Sequence, residues 1–259
     1  DINRMFANDK VKAIFELRGG WGSGRLLPYI DYKLIAKHPK IFVGFSDITA
    51  LLIAIHTKTG LVTFHGTMGN EPWPNFTVEY LKQLLFQGNL VTYVNPTEID
   101  TTKDIINEDS QIRVITPGIA KGKLIGGNLT VLTSMLGSSY LPSWKGKILF
   151  IEDVGEDYYK IDRMMSQLKL AGVLDQISGF VFGQCYKCEE NENDSSTKYI
   201  GTLTLNQILD HYIKPLKIPA WSGAMIGHLP KMFTLPEGTE VEINAEKGEI
   251  RMLEPAVIK

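Results

Sequence analysis

Apolar residues along this chain follow two periods. Val11 to Leu17, Ile41 to Val43, Leu61 to Phe64, Lys147 to Glu152, Ile177 to Phe182 and Ile218 to Ile226 are short runs rich in β-branched and aromatic residues, and they predict buried strands. Between them, apolar side chains recur at helical spacing. Ile48, Leu51, Leu52 and Ile55 form one such stripe, and Ile161, Met164, Met165 and Leu168 form another within Tyr158 to Leu170. Thr77 to Phe86, Leu129 to Leu136 with Asn128 as its cap, Leu203 to Tyr212 and Arg25 to Ile35 add further predicted helices. Strand, loop and helix in repetition predict an α/β protein whose parallel sheet is flanked by helices, with ligand sites beyond the carboxyl ends of the strands. Val241 to Ile243 and Glu249 to Leu253, joined through Lys247-Gly248, predict a closing β-hairpin.

The pattern dissolves from Asn95 to Gly118 into Asn, Pro, Thr, Asp and Glu. This break divides the chain into an N-terminal parallel-sheet domain of flavodoxin or Rossmann type (1–97), a linker (98–118) and a C-terminal mixed α/β domain (119–259). Glu189 to Lys198 reads as a polar, mobile loop.

With 259 residues, 44% of them hydrophobic, the chain can bury a sizeable core. A net charge of -2 without a long basic run argues against a general grip on nucleic acid. No apolar run approaches the ~20 residues that a membrane helix needs. Cys185 and Cys188 stand in C-x-x-C spacing, with neither a second pair nor a nearby histidine to complete a zinc site. They could form a redox pair, but the segment has no helix start of the thioredoxin kind, so they are expected to be reduced at a strand end, and neither a metal nor a cofactor is expected. So few cysteines suit a reducing compartment.

The chemistry concentrates at strand ends. Ser46 follows Ile41-Phe-Val-Gly44 and precedes the Ile48 helix, the geometry of a nucleophile elbow, although a serine there also reads as an ordinary helix cap. Arg18-Gly-Gly-Trp-Gly-Ser-Gly24 lacks the spacing of a phosphate loop and suits a loop lending backbone N–H groups to an oxyanion. Glu152 ends one strand, and His228 follows another in Gly227-His228-Leu-Pro230. Each alone reads more readily as a surface carboxylate and a loop histidine; with Ser46 they supply the nucleophile, base and acid of a serine hydrolase. His65, at the end of Leu61-Val-Thr-Phe-His65, competes with His228 on position.

Together, Arg18-Gly-Gly-Trp-Gly22, Gly44-Phe-Ser-Asp-Ile-Thr-Ala-Leu-Leu52, Thr63-Phe-His-Gly66, Gly126-Gly-Asn-Leu-Thr130, Phe150-Ile-Glu-Asp153 with Ile161-Asp-Arg163, and Gly227-His228 leading to Leu235-Pro-x-Gly238 resemble the LD-carboxypeptidase family of serine peptidases, which includes the microcin C immunity hydrolases. The resemblance spans essentially the whole chain. It implies Ser46 as nucleophile, Glu152 as relay acid and His228 as general base, with the N–H groups of Asp47 and Gly20 as the oxyanion hole. Arg18, Trp21 and Arg163 are the expected substrate contacts, with an internal ion pair an equal alternative for Arg163. It also implies an N-terminal domain that here lacks its first βα units. The implied activity is removal of the terminal D-alanine from the L-centre of a murein tetrapeptide in cytoplasmic peptidoglycan recycling. The alternatives are an amidase acting on aminoacyl nucleotide analogues and a relative that binds peptide without turnover. The expected partner is a small peptide, with no nucleic acid and no membrane, and the expected assembly is a homodimer.

Overall fold

The predicted strands assemble into two sheets. In the computed structural model, residues 1–96, 111–188 and 203–257 are described. The small sheet has the order β1 (Ala13–Phe15), β2 (Ile41–Gly44), β3 (Thr63–His65), β10 (Leu235–Glu237); it is parallel across its first three strands and antiparallel where β10 joins β3. The large sheet has the order β4 (Thr92–Val94), β12 (Glu249–Met252), β11 (Glu240–Asn244), β6 (Ile119–Asn128), β7 (Ile148–Val154), β8 (Gly179–Tyr186), β9 (Ala220–Ser222), β5 (Arg113–Thr116). It is parallel from β6 to β9 and antiparallel on both flanks. Ile148 to Ile151 are buried without alternation, as expected of a parallel strand covered on both faces.

The sheets exchange strands and are stitched together. β10 comes from the far end of the chain yet lies beside β3, and beyond it the Gly238 N–H donates to Leu124 O (2.7 Å) while the Leu124 N–H donates to Thr239 O (2.9 Å). Helix α3 (Thr49–Thr59) is buried at every position from Thr49 to Ile55. A helix apolar around its circumference has no solvent face, and α3 accordingly serves two cores. Ile53 packs with Ile125, Leu129 and Ile151, whereas Leu51, Leu52 and Ile55 pack with Phe42 and Phe45.

Several local expectations need correction. Arg25 to Ile35 is not one helix: Pro28 lies in a 3-10 turn, Ser23–Tyr29, and α2 (Tyr32–Lys37) follows, capped by the Asp31 side chain accepting from Leu34 N–H at 2.9 Å. The helix expected from Thr77 starts earlier, as α4 (Asn75–Leu81), and ends in a π-helical turn, Lys82–Phe86. The expected linker 98–118 includes strand β5, whose Ile115 is buried in the core while Val114 faces out. A four-residue edge strand with one inward side chain leaves too little periodicity to see. Residues 98–110 of that linker and the loop Glu189 to Lys198 lie outside the described residues. Cys185 and Cys188 are joined as a disulfide and are not reduced: Lys187 adopts a left-handed turn (φ 56°) that brings their Cα atoms to 5.3 Å.

Candidate active site

Strand β2 delivers Ser46 to the carboxyl edge of the small sheet. Phe45 is extended, and Ser46 then takes φ 61°, a left-handed conformation that costs a side-chain-bearing residue roughly 1–2 kcal/mol. The reversal forces the hydroxyl out of the backbone just before the turn Ser46–Ile48 that feeds α3. Gly44 is required beneath it, since a Cβ there falls 2.6 Å from Ile48 Cγ2.

Three segments meet at this hydroxyl. His228 Nε2 lies 3.0 Å from Ser46 Oγ, and Nδ1 lies 2.9 Å from Glu152 Oε2. With the carboxylate accepting from Nδ1–H, Nε2 is left as the acceptor for the serine O–H. Glu152 is fully buried on β7, and Gly183 and Gly227 make room for it. A Cβ on Gly227 falls 2.4 Å from Glu152 Oε2, and φ +103° at that position favours glycine independently. Burial of the His228 ring disfavours its charge, but the hydrogen bond and charge of Glu152, helped by Asp153 and Glu71, outweigh this and raise its pKa above the ordinary 6.5.

The glycine loop is held over the elbow. Asp47 Oδ2 accepts from the Ser23 N–H at 2.8 Å, tying the loop's end to the residue after the serine. Closest contact falls at Gly19, where a Cβ lies 2.9 Å from Ser46 Cβ, 3.0 Å from its Oγ and 3.4 Å from Asp47 N. Gly20 follows at φ +125°, with only the Arg18 guanidinium near the position of a side chain. Arg18 and Trp21 are exposed, Trp21 at 84%. Arg163 stacks over the Tyr159 ring at 5.4 Å on the exposed face of α6 (Tyr158–Leu170).

His65 does not occupy the central position. It is fully buried, edge-on to Phe45 (centroids 6.0 Å) and Phe150 (5.2 Å), and burial lowers its pKa to about 4 against the opposing pull of Glu152. A second acid escaped the sequence reading. Asp153 accepts at Oδ1 from Asn128 Nδ2 (3.0 Å) and the Val154 N–H (2.8 Å), and at Oδ2 from the N–H (2.9 Å) and hydroxyl (2.8 Å) of Thr130. Burial and the neighbouring Glu152 push it up to about 6. Asn128 also caps α5 (Leu129–Ser134), as expected, and its N–H donates to Thr49 Oγ1 (3.0 Å), joining the large sheet to the elbow helix. Asp153 stood in the sequence only as the last residue of the Phe150-Ile-Glu-Asp153 motif, with no role assigned to it. Among the described residues, no cluster of three or more His, Cys, Asp or Glu is arranged to hold a metal ion, and no helix is long and apolar enough to cross a membrane.

Comparison with known proteins gives a consistent set of relatives. The model of the LD-carboxypeptidase N-terminal domain matches residues 1–66, and that of the LD-carboxypeptidase C-terminal domain matches 121–243. The chain is 41% identical to a probable murein peptide carboxypeptidase of Bacillus subtilis, over 96% of this chain and 74% of that protein. It is 32% identical to the microcin C7 self-immunity protein MccF of Escherichia coli, over 98% and 77%. Among solved structures, a muramoyltetrapeptide carboxypeptidase from Oxalobacter formigenes superposes with a TM-score of 0.78 at 28% identity, covering 98% of this chain and 82% of that one.

Proposed function

The chain belongs to the LD-carboxypeptidase family of serine peptidases, and we propose that it hydrolyses the L,D-peptide bond to the terminal D-alanine of murein tetrapeptides with a Ser46–His228–Glu152 triad. The observation that carries this reading is the hydrogen-bonded line from Ser46 Oγ through His228 to Glu152, at 3.0 and 2.9 Å, drawn from three distant segments. Nothing in passive peptide binding requires that line.

In the reaction, Ser46 Oγ attacks the amide carbonyl while its proton passes to His228 Nε2. Glu152 fixes the imidazole and supports its positive charge. The protonated imidazole then gives its proton to the departing amine, releasing D-alanine and leaving an acyl-serine. Water, activated by the same His228, hydrolyses that ester. The Asp47 N–H and a glycine-loop N–H, at Gly20, receive the oxyanion; each such donor is worth ~2.7–4 kcal/mol of transition-state stabilisation. Arg18 suits the terminal carboxylate because a guanidinium binds one with two parallel hydrogen bonds, and Trp21, on the same loop, is exposed.

Incubating the chain with a murein tetrapeptide and with an aminoacyl sulfamoyl adenosine separates the substrate readings. Release of D-alanine from the peptide is expected. Cleavage of the nucleotide analogue alone rejects the murein substrate in favour of the immunity-type reaction, which similarity to MccF motivates.

A further inference from the structure

His65 is the buried imidazole that the proposed relay leaves unused. Its partner across the sheet is Gly44, two residues before Ser46, so His65 stands level with the end of the strand that delivers the serine. Phe45, which touches His65 edge-on, also packs against the His228 ring at a centroid distance of 4.9 Å. Phe150, on the other side of His65, shares one face of β7 with Glu152, because alternate strand residues point the same way. His65, His228 and Glu152 therefore belong to one aromatic-walled pocket.

That pocket holds complementary unmet needs. Among the described residues, Glu152 Oε1 has no hydrogen-bond partner, and neither ring nitrogen of His65 has one. Glu152 and His65 are both fully buried. A carboxylate oxygen in such surroundings requires a donor, and a neutral imidazole has one N–H to give. The titratable groups felt by His65 are Glu152 and His228, and burial keeps its ring uncharged at neutral pH. The walls on either side are phenylalanine rings, which offer the carboxylate no strong donor.

We propose that His65 is a positioning residue for the relay, its ring N–H serving Glu152 Oε1 through one bound water while His228 occupies Oε2. Glu152 is then held from both sides, and its carboxylate plane, hence the orientation of His228 toward Ser46, is set. The inference rests on the proposed triad.

Side-chain nitrogen–proton NMR of the whole chain tests the contact without any substrate. One histidine ring N–H should be protected from exchange at neutral pH, vanish in His65→Gln and move upfield in Glu152→Gln. A His65 N–H that exchanges too fast to observe, or that ignores Glu152→Gln, overturns the proposal. Kinetics test the consequence. His65→Phe keeps the ring packing and removes the N–H, and should lower kcat by roughly tenfold to a hundredfold, the range of one hydrogen bond to a charged group. KM should change little, and the acid limb of kcat/KM should move to higher pH, since an unsupported carboxylate holds the imidazolium proton more tightly. His65→Gln should recover part of kcat. Wild-type kcat and acid limb in a folded His65→Phe overturn the proposal. A wild-type chain that releases no D-alanine rejects the peptidase reading instead, and the NMR result still decides the His65 contact.

Discussion

Buried polar groups are handled differently in two neighbouring regions of this molecule. Around Glu152, an ion-bearing site is built: a histidine on one oxygen, glycines cut away to admit the carboxylate, and an adjacent acid with four donors of its own. Along the seam where β10 meets β3, Glu237 sits opposite Thr63, fully buried, and neither of its oxygens has a hydrogen-bond partner among the described residues. The hydroxyls of Thr234 and Thr239 nearby are equally unpartnered. Burial raises Glu237 well above its ordinary pKa, so it is held as a neutral acid. The fold thus supports a charge where the proposed chemistry needs one and suppresses it where nothing is built to receive it.

The hardest test of the built side is Ser46. Ser46→Ala should lower kcat by roughly 10⁴–10⁶-fold, the scale of losing a triad nucleophile, while a tetrapeptide still binds by calorimetry. Ser46→Gly should be equally inactive yet more stable than Ser46→Ala by ~1 kcal/mol in urea unfolding, because φ 61° penalises alanine and not glycine. Equal stability of the two variants would remove the claim of strain at the elbow.

Gly227 probes the room made for Glu152. Gly227→Ala adds a Cβ 2.4 Å from Oε2 at a left-handed backbone position, so the carboxylate must move. A displacement near 1 Å in a relay group costs about 10²-fold, and kcat should fall by that order with a stability loss of ~1–3 kcal/mol. Gly155, also at positive φ but with nothing near its Cβ position, is the control: Gly155→Ala should cost stability alone.

The electrostatics predict a pH profile. His228 must be neutral to accept the serine proton, and its pKa is raised, so kcat/KM should climb with a midpoint above 6.5. Glu71→Gln removes one of the negative charges that favour the imidazolium, and should move that midpoint slightly toward lower pH. A midpoint below 6.5 in the wild type would mean that burial outweighs Glu152.

Much of the built region was legible in the sequence because its parts are punctuated. Ser46, Glu152 and His228 each follow an apolar run and stand beside a glycine or an acid, so strand ends located all three, and family resemblance assigned their roles. What stayed hidden were relations between distant segments. Nothing in Leu235-Pro-Glu-Gly238 indicates that this strand crosses to the small sheet, and so nothing marked Glu237 as buried; a glutamate beside Pro and Gly reads as a turn. His65 looked like a rival base because its strand end was visible, while the phenylalanines that enclose it come from other segments of the chain. Cys185 and Cys188 read as reduced because composition alone does not reveal the left-handed turn at Lys187.

The last predicted effect falls on the unserved side and isolates it. In the unfolded chain Glu237 ionises near its ordinary value of 4.5, whereas in the fold it keeps its proton far above that pH. Between those limits the folded state binds more protons, so the group's contribution to stability falls as pH rises, by about 1.4 kcal/mol per pH unit while the difference persists. His65, with a folded pKa of about 4, has the opposite sign and acts below 6.5; Asp153, at about 6, has the same sign as Glu237 and levels off above 6. Comparing wild type with Glu237→Gln cancels both, and cancels His228 as well. The glutamine is close in shape and cannot ionise. The two proteins should unfold at similar urea concentrations near pH 5, and the variant should become the more stable as pH rises toward 8, the gap widening for as long as Glu237 keeps its proton in the fold. A constant offset across pH would mean that Glu237 is ionised in the fold and that the seam contains a partner for it after all.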